Sequence, residues 1–289
     1  MNNHARVPDC CRSRSAPGFT LIELSIVLVI IGLVVGGVLV GSDLIEAAKV
    51  RAAGGQIEEY ELAIGSFRLK YNALPGDLTA SQSMAFGMTP RTDSALYCSG
   101  GDQRIYTYSG GACGKDYSTY RLGSENIIFW RDLSQAGMIK ESFVTATETI
   151  WVREITQSQL TTFIPASKLD GNFITFGSFD YPAASSRRPF YPAPATFYMI
   201  KGVTGTDYAN LIDKLAIKPL LAFAFDSKFD DGIPNTGIVR AADANANSST
   251  PAYSAGTYPS TCRTAVNEYA TALGEPGCRL LIKSKAWPQ

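Results

Sequence analysis

The chain has 289 residues, sets 26 Lys and Arg against 26 Asp and Glu, and is 45% hydrophobic and 18% charged, the make-up of one large globular domain or two small ones. This balance excludes a whole-molecule basic footprint for nucleic acid. Its one histidine, His4, lies in the first 18 residues, so the rest of the chain has no imidazole for a Ser-His-Asp or Cys-His nucleophile system or for a histidine-ligated metal.

Residues 1–18 form a small, basic preface carrying Arg6, Arg12 and Arg14 against Asp9, together with Cys10 and Cys11. From Phe19 to Val40 the sequence is apolar with Glu23 as its one charge, long enough as a helix of roughly 33 Å to cross a hydrocarbon core of about 30 Å. The arginines precede the span and the bulk of the chain follows it, which predicts a cytoplasmic N-terminus and an exported body. A secretory signal has its small-residue cleavage site beyond the apolar core. Here the conspicuous small residue is Gly18, on the cytoplasmic edge, so that a cut after it frees the membrane helix instead of discarding it.

The stretch Gly-Phe-Thr-Leu-Ile-Glu-Leu-Ser-Ile-Val-Leu-Val-Ile-Ile-Gly, residues 18 to 32, resembles the prepilin N-terminal motif shared by type IV pilins and the pseudopilins of type II secretion systems. The resemblance implies that a prepilin peptidase cuts after Gly18, that the new N-terminal amine of Phe19 is methylated, and that Glu23 takes the place of the family's acidic residue at the fifth mature position. A carboxylate inside a membrane is costly and calls for a partner, which a protonated Phe19 amine on a neighbouring subunit would supply. The bland alternative is a Glu23 that snorkels to the headgroups of a single-pass anchor. Gly32 with Gly36, and Gly37 with Gly41, are spaced for close helix contact in lipid, or are simple helix-loosening glycines.

Beyond the span, Val50, Ala53, Ile57, Tyr60, Ile64, Phe67 and Tyr71 recur at three- and four-residue steps and draw one apolar stripe on a helix. Glu46, Lys49, Glu58, Glu59, Glu61, Arg68 and Lys70 occupy its other faces. Gly54-Gly55 is a place for a bend, and Asn72-Ala-Leu-Pro-Gly-Asp-Leu78 stops the helix. The expected organisation is a leader at 1–18, a transmembrane half-helix at 19–41, an amphipathic half at 42–72 and a head at 73–289. The resemblance implies the same architecture, an α+β pilin-like fold in which a long N-terminal helix packs against an antiparallel sheet.

Within the head, residues 79–121 read as loop with a short hairpin. Ser124 to Ile139 reads as a short helix capped by Ser124 and ended by Gly137, and its Trp130-x-x-Leu133-x-x-Ala136-Gly137 pattern is similar to segments of large pilin-like proteins. Asn172–Phe179, Ala195–Val203, Leu220–Phe229, Thr236–Ala242 and Cys278–Ser284 are rich in β-branched and aromatic residues and are expected as strands. The small, polar run at 242–261 reads as a surface loop, in which the Asn247-Ser248-Ser249 sequon has the look of chance.

The body holds Cys98, Cys113, Cys262 and Cys278. No Cys-x-x-Cys spacing supports the rival four-thiolate zinc site. Among three connectivities the sequence-local pairs, Cys98 with Cys113 and Cys262 with Cys278, are expected, each loop of about 15 residues adding ~3 kcal/mol. In Asp226 to Gly237 three aspartates, Asp226, Asp230 and Asp231, meet a glycine-proline turn. Asp and Gly are what such turns require. The resemblance adds a second reading, since some pseudopilins have calcium-stabilised loops, although Lys228 interrupts the ligand pattern and the spacing is not that of an EF-hand.

The expected function is a non-enzymatic, processed filament subunit held in the bacterial inner membrane, with its head in the periplasm until it joins a type IV pilus or a type II secretion pseudopilus. The partners implied are the prepilin peptidase, other pilin or pseudopilin subunits and the inner-membrane assembly platform. The alternative is a minor tip subunit whose head binds a surface, DNA or a secreted protein.

Overall fold

The computed structural model describes residues 18–91, 100–109, 112–114, 125–146, 156–169, 171–179, 195–207, 210–214, 217–243, 262–264 and 267–287. The chain divides into two compact units, Met1–Ile45 and Glu46–Gln289.

Helix α1 runs unbroken over Leu21–Tyr71. Through Val40 its large apolar side chains are 49–89% exposed, a surface that a folded protein does not leave to water. Among the described residues it is the one helix long and apolar enough to cross a membrane. From Val50 onward the stripe appears as expected: Val50, Ala53, Ile57, Tyr60, Ile64 and Phe67 are buried, with Gly54, Gln56 and Ala63 beside them. The helix ends where Asn72 takes a φ of +48°, a left-handed turn that asparagine tolerates.

Gly54-Gly55 does not interrupt the helix, and Gly54 has a different reason to be glycine. A Cβ built on it would lie 1.9 Å from Cζ of Phe229, whereas one on Gly55 would meet nothing within 4 Å. Gly54 is a socket for an aromatic ring.

The head's main sheet contains β3 (Asn172–Phe179), β4 (Ala195–Asp207), β6 (Val239–Asp243) and β7 (Cys278–Lys283) in the order β3-β4-β7-β6, with β5 (Asn210–Lys214) also paired to β4. All pairings are antiparallel. Register brings Phe176 and Ile282 opposite Tyr198, and Ile174 and Leu280 opposite Ile200. These side chains join the α1 stripe in one core, where Tyr60 stacks over Tyr198 at 6.4 Å. The other face, with Thr175, Phe197, Met199 and Leu281, is buried as well, which is why β4 lacks the alternation of a strand with one wet face. A small hairpin pairs β1 (Thr107–Ser109) with β2 (Ala112–Gly114).

Helix α3 (Glu125–Gln135) forms as expected and stops at Gly137, whose φ is +68°. Its Phe129 and Trp130 make T-shaped contact with each other at 4.7 Å, and Trp130 does the same with Tyr60 at 4.9 Å. Trp287, 1% exposed, fills the same cluster 5.2 Å from Phe176 and donates Nε1–H to the Gln103 carbonyl.

One expected strand is a helix. Leu220–Phe229 belongs to α4, Pro219–Phe229, in which Pro219 occupies the first turn and Lys218 the N-cap. Proline is pre-set there because no N–H is needed, and Ala222, Phe225, Asp226 and Phe229 then fall on one side at helical spacing. The short helix α2 (Ala80–Ala85) and strand β5 were not expected. The first is started by Thr79, whose Oγ1 accepts Gln82 N–H while Gln82 Oε1 accepts Thr79 N–H.

The Pro-Gly turn after α1 is more than punctuation. A Cβ on Gly76 (φ +81°) would lie 2.6 Å from Ile105, and Gly76 N–H donates to Asp132 Oδ2 at 2.7 Å. Arg91 donates to the Gly76 and Leu78 carbonyls and forms a buried ion pair with Asp132. Asp77 accepts N–H groups of Gly101, Asp102 and Gln103.

Candidate functional site

At the start of α1, Thr20 and Glu23 form a reciprocal cap. Glu23 Oε2 accepts both the backbone N–H and the hydroxyl of Thr20 at 2.8 Å, and Thr20 Oγ1 accepts Glu23 N–H at 3.3 Å. The Thr-x-x-Glu spacing dictates this capping box, and the positive end of the helix dipole favours a carboxylate in the first turn. Phe19 is 85% exposed immediately before it, and a Cβ on Gly18 would meet nothing within 4 Å. Gly18, Phe19 and Glu23 thus lie together at the exposed end of an apolar helix. The sequence reading named Glu23 but missed Thr20, for which the capping spacing was the available signal.

The second group lies where α4 ends. Ligand oxygens of Asp226, Asp230 and Asp231 come within 4.8 Å of one another. Each carboxylate already serves the chain. Asp226 accepts Tyr269 O–H at 2.7 Å and Gly232 N–H at 3.2 Å. Asp230 Oδ2 accepts Val239 N–H at 2.8 Å and also Ile238 N–H. Asp231 accepts Ile233 N–H at 2.9 Å and Thr236 O–H at 2.6 Å. Gly237 (φ +64°) lies so close that a Cβ would collide with the Asp230 carboxylate.

Burial pushes the Asp226 carboxyl up to about 6, with hydrogen bonds from Tyr269 and Gly232 opposing the rise and the charges of Asp231 and Asp230 adding to it. Three carboxylates are suitable chemistry for a hard cation, but calcium takes roughly 6–8 oxygens, and these three supply part of such a shell. The residues fit a calcium ion in donor type while already forming a self-sufficient turn.

This turn is tied to the disulfide loop. Cys262 and Cys278 are bonded, with an S–S distance of 2.00 Å and a sequence separation of 16, and both are fully buried. The loop they close carries Tyr269, which reaches Asp226, and Asn267, which donates to Asn235. Cys98 of the expected Cys98–Cys113 bridge lies outside the described residues, as do residues 1–17 of the leader, the Ser124 cap and the polar run at 244–261.

Residues 13–39 match the family model of the prokaryotic N-terminal methylation motif. No curated protein and no solved structure matches the chain. The motif covers the preface edge, the Thr20–Glu23 cap and the exposed apolar helix, and the layout after it is a long helix beside an antiparallel sheet. The chain therefore carries the signature of the type IV pilins and pseudopilins on a pilin-like α+β fold.

Proposed function

We propose that the chain is a structural subunit, not an enzyme, that prepilin peptidase processes and that assembles through its N-terminal helix into a type IV pilus or a type II secretion pseudopilus. The observation that carries this reading is the methylation motif at 13–39, which overlies a helix with apolar side chains 49–89% exposed. The peptidase cuts between Gly18 and Phe19, and the Phe19 amine is methylated. In the inner membrane, with the N-terminus cytoplasmic and the head periplasmic, the span holds the subunit until the assembly platform takes it up. Thr20 satisfies the Glu23 carboxylate in the lone subunit, and in the filament a neighbour's Phe19 amine supplies the counter-charge.

Replacing Gly18 by tryptophan tests the reading by immunoblot of membrane and filament fractions. Full-length, unassembled protein is expected, and normal processing overturns the cleavage assignment. A second reading, which the size of the disulfide-bearing head at 73–289 favours, is a minor tip subunit that binds a surface, DNA or a secreted protein. Salt-dependent DNA binding by the purified protein tests the DNA form. For Asp226, Asp230 and Asp231 we favour a turn lock held by the chain's own donors, with calcium as the second role. A melting temperature indifferent to calcium and chelator retires the ion.

A further inference from the structure

Helix α4 is apolar on both sides. Ala222, Phe225 and Phe229 face the core, while Leu220 and Phe223 are 51% and 40% exposed on the outward side. A helix that is hydrophobic all round belongs in an interior, so this outward face calls for a cover. Ile233, exposed in the following turn, extends it: the neighbouring Gly232 lies against the Phe223 ring. The rim is acidic. Asp231 hydrogen-bonds Ile233 N–H, and exposed Glu268 adjoins Tyr269, whose ring lies 5.8 Å from Phe223. Lys218 stands at the N-cap and Lys228 turns over the Phe229 ring at 5.9 Å, on the helix flank.

The chain also presents the complementary surface. On α1, Leu62 and Leu69 are 72% and 89% exposed. Seven residues apart, they share one face, and the exposed Arg68 and Lys70 flank Leu69. We propose that the outward face of α4 in one subunit docks on the Leu62–Leu69 ridge of a second copy, with Asp231 and Glu268 meeting Arg68 and Lys70. The two surfaces are different, so the contact is heterologous and propagates from subunit to subunit instead of closing a dimer. It rests on the assembly reading above and names the head contact that such assembly uses.

The test is cross-linking of the full chain in assembling cells with a short bis-maleimide. The doubly substituted L69C/F223C chain is expected to give a ladder of multimers, with L69C alone, F223C alone and the unsubstituted chain giving none. V34C, in the exposed apolar helix, reports assembly independently. A V34C dimer, the product that one thiol per chain allows, without an L69C/F223C ladder overturns the α4 contact and leaves helix-driven assembly standing. Loss of both the V34C dimer and the L69C/F223C ladder overturns both. E268K and K70E are each expected to lower the L69C/F223C ladder several-fold and together to restore it, and failure of the pair to restore it overturns the charge matching.

Discussion

Replacing Gly54 by alanine puts a methyl carbon where the Phe229 ring lies, 1.9 Å from Cζ and 2.5 Å from both Cε atoms. No rotation of the new group relieves this, because a Cβ position is fixed by the backbone. The ring must move, and it is held by Phe225, 4.8 Å away. Overpacking of this kind costs about 1–3 kcal/mol. Against it, alanine in a helix interior is better than glycine by about 1 kcal/mol. Gly55 supplies the internal control, since it has the same propensity gain and nothing within 4 Å of its Cβ. G55A is therefore expected to stabilise by about 1 kcal/mol, and G54A to fall about 1–3 kcal/mol below it. At roughly 2–4 °C per kcal/mol for a chain of this size, the two variants should differ by several degrees in thermal melts of the full-length protein in detergent. F229L, which removes the outer ring atoms, should narrow that gap. Equal melting of G54A and G55A would refute the socket and return Gly54 to a merely permissive role.

Asp77 and Asp226 are both pushed up to about 6, chiefly by burial, and burial also holds Glu125 well above its usual range. Between the unfolded carboxylate range near 4 and about 6 the folded state binds more protons, so stability is greatest in acid and declines as pH rises through that window. Urea midpoints from pH 4 to 8 should show the decline, and D226N, which keeps an acceptor for Gly232 and a partner for Tyr269, should flatten part of it. An unchanged slope in D226N would contradict the assignment to Asp226. Breaking Cys262–Cys278 in the C262S/C278S variant should cost about 3 kcal/mol for a loop of this length and raise amide exchange at Gly232, whose acceptor Asp226 loses the hold of Tyr269. Exchange confined to the disulfide loop itself would show that the two turns are independent. W287A should cost ~3–5 kcal/mol, read as a lower urea midpoint, and a loss below 1 kcal/mol would mean that the aromatic cluster closes over the gap.

The amphipathic half of α1 was legible because its stripe repeats at helical spacing over residues that all meet one core. The strands β3, β4, β6 and β7 were legible from their β-branched and aromatic runs. Helix α4 was misread for a physical reason. A helix with apolar residues on both faces has no periodicity to show, and Leu-Leu-Ala-Phe-Ala-Phe has the composition of a buried strand. Only Pro219 at its start carried the helical signal. The N-terminal methylation motif was legible because its signal lies in contiguous residues, within 13–39. The hydrogen bonds of the aspartate turn were not, because Tyr269 reaches Asp226 across 43 positions and no local pattern records that. The same holds for Arg91 and Asp132, 41 positions apart, which secure the Pro-Gly turn.

The apolar stripe on α1 cannot by itself set how far along the helix the head is fastened. Its positions repeat every seven residues, so a slide of one heptad, roughly 10.5 Å, would replace Val50 with Ile57, Ala53 with Tyr60, Ile57 with Ile64 and Tyr60 with Phe67, all still apolar. Burial alone would barely object. The polar positions between them do. Gln56 donates to the Ala166 carbonyl at 2.9 Å and accepts Lys168 N–H at 3.0 Å, and Glu61 accepts the N–H groups of Lys285 and Ala286 at 2.9 and 2.6 Å. After the slide Ala63 would stand in the place of Gln56, Arg68 would stand where Glu61 accepts, and Glu61 would stand in the Gly54 socket against Phe229. Each exchange takes the partner from backbone groups that are part-buried at Ala166, Lys168 and Ala286 or drives a carboxylate into a ring, at up to about 1–3 kcal/mol apiece. Hydrophobic contact therefore holds the head on the helix, while Gly54, Gln56 and Glu61 decide where. A subunit that is to be positioned by its N-terminal helix needs that second property as much as the first.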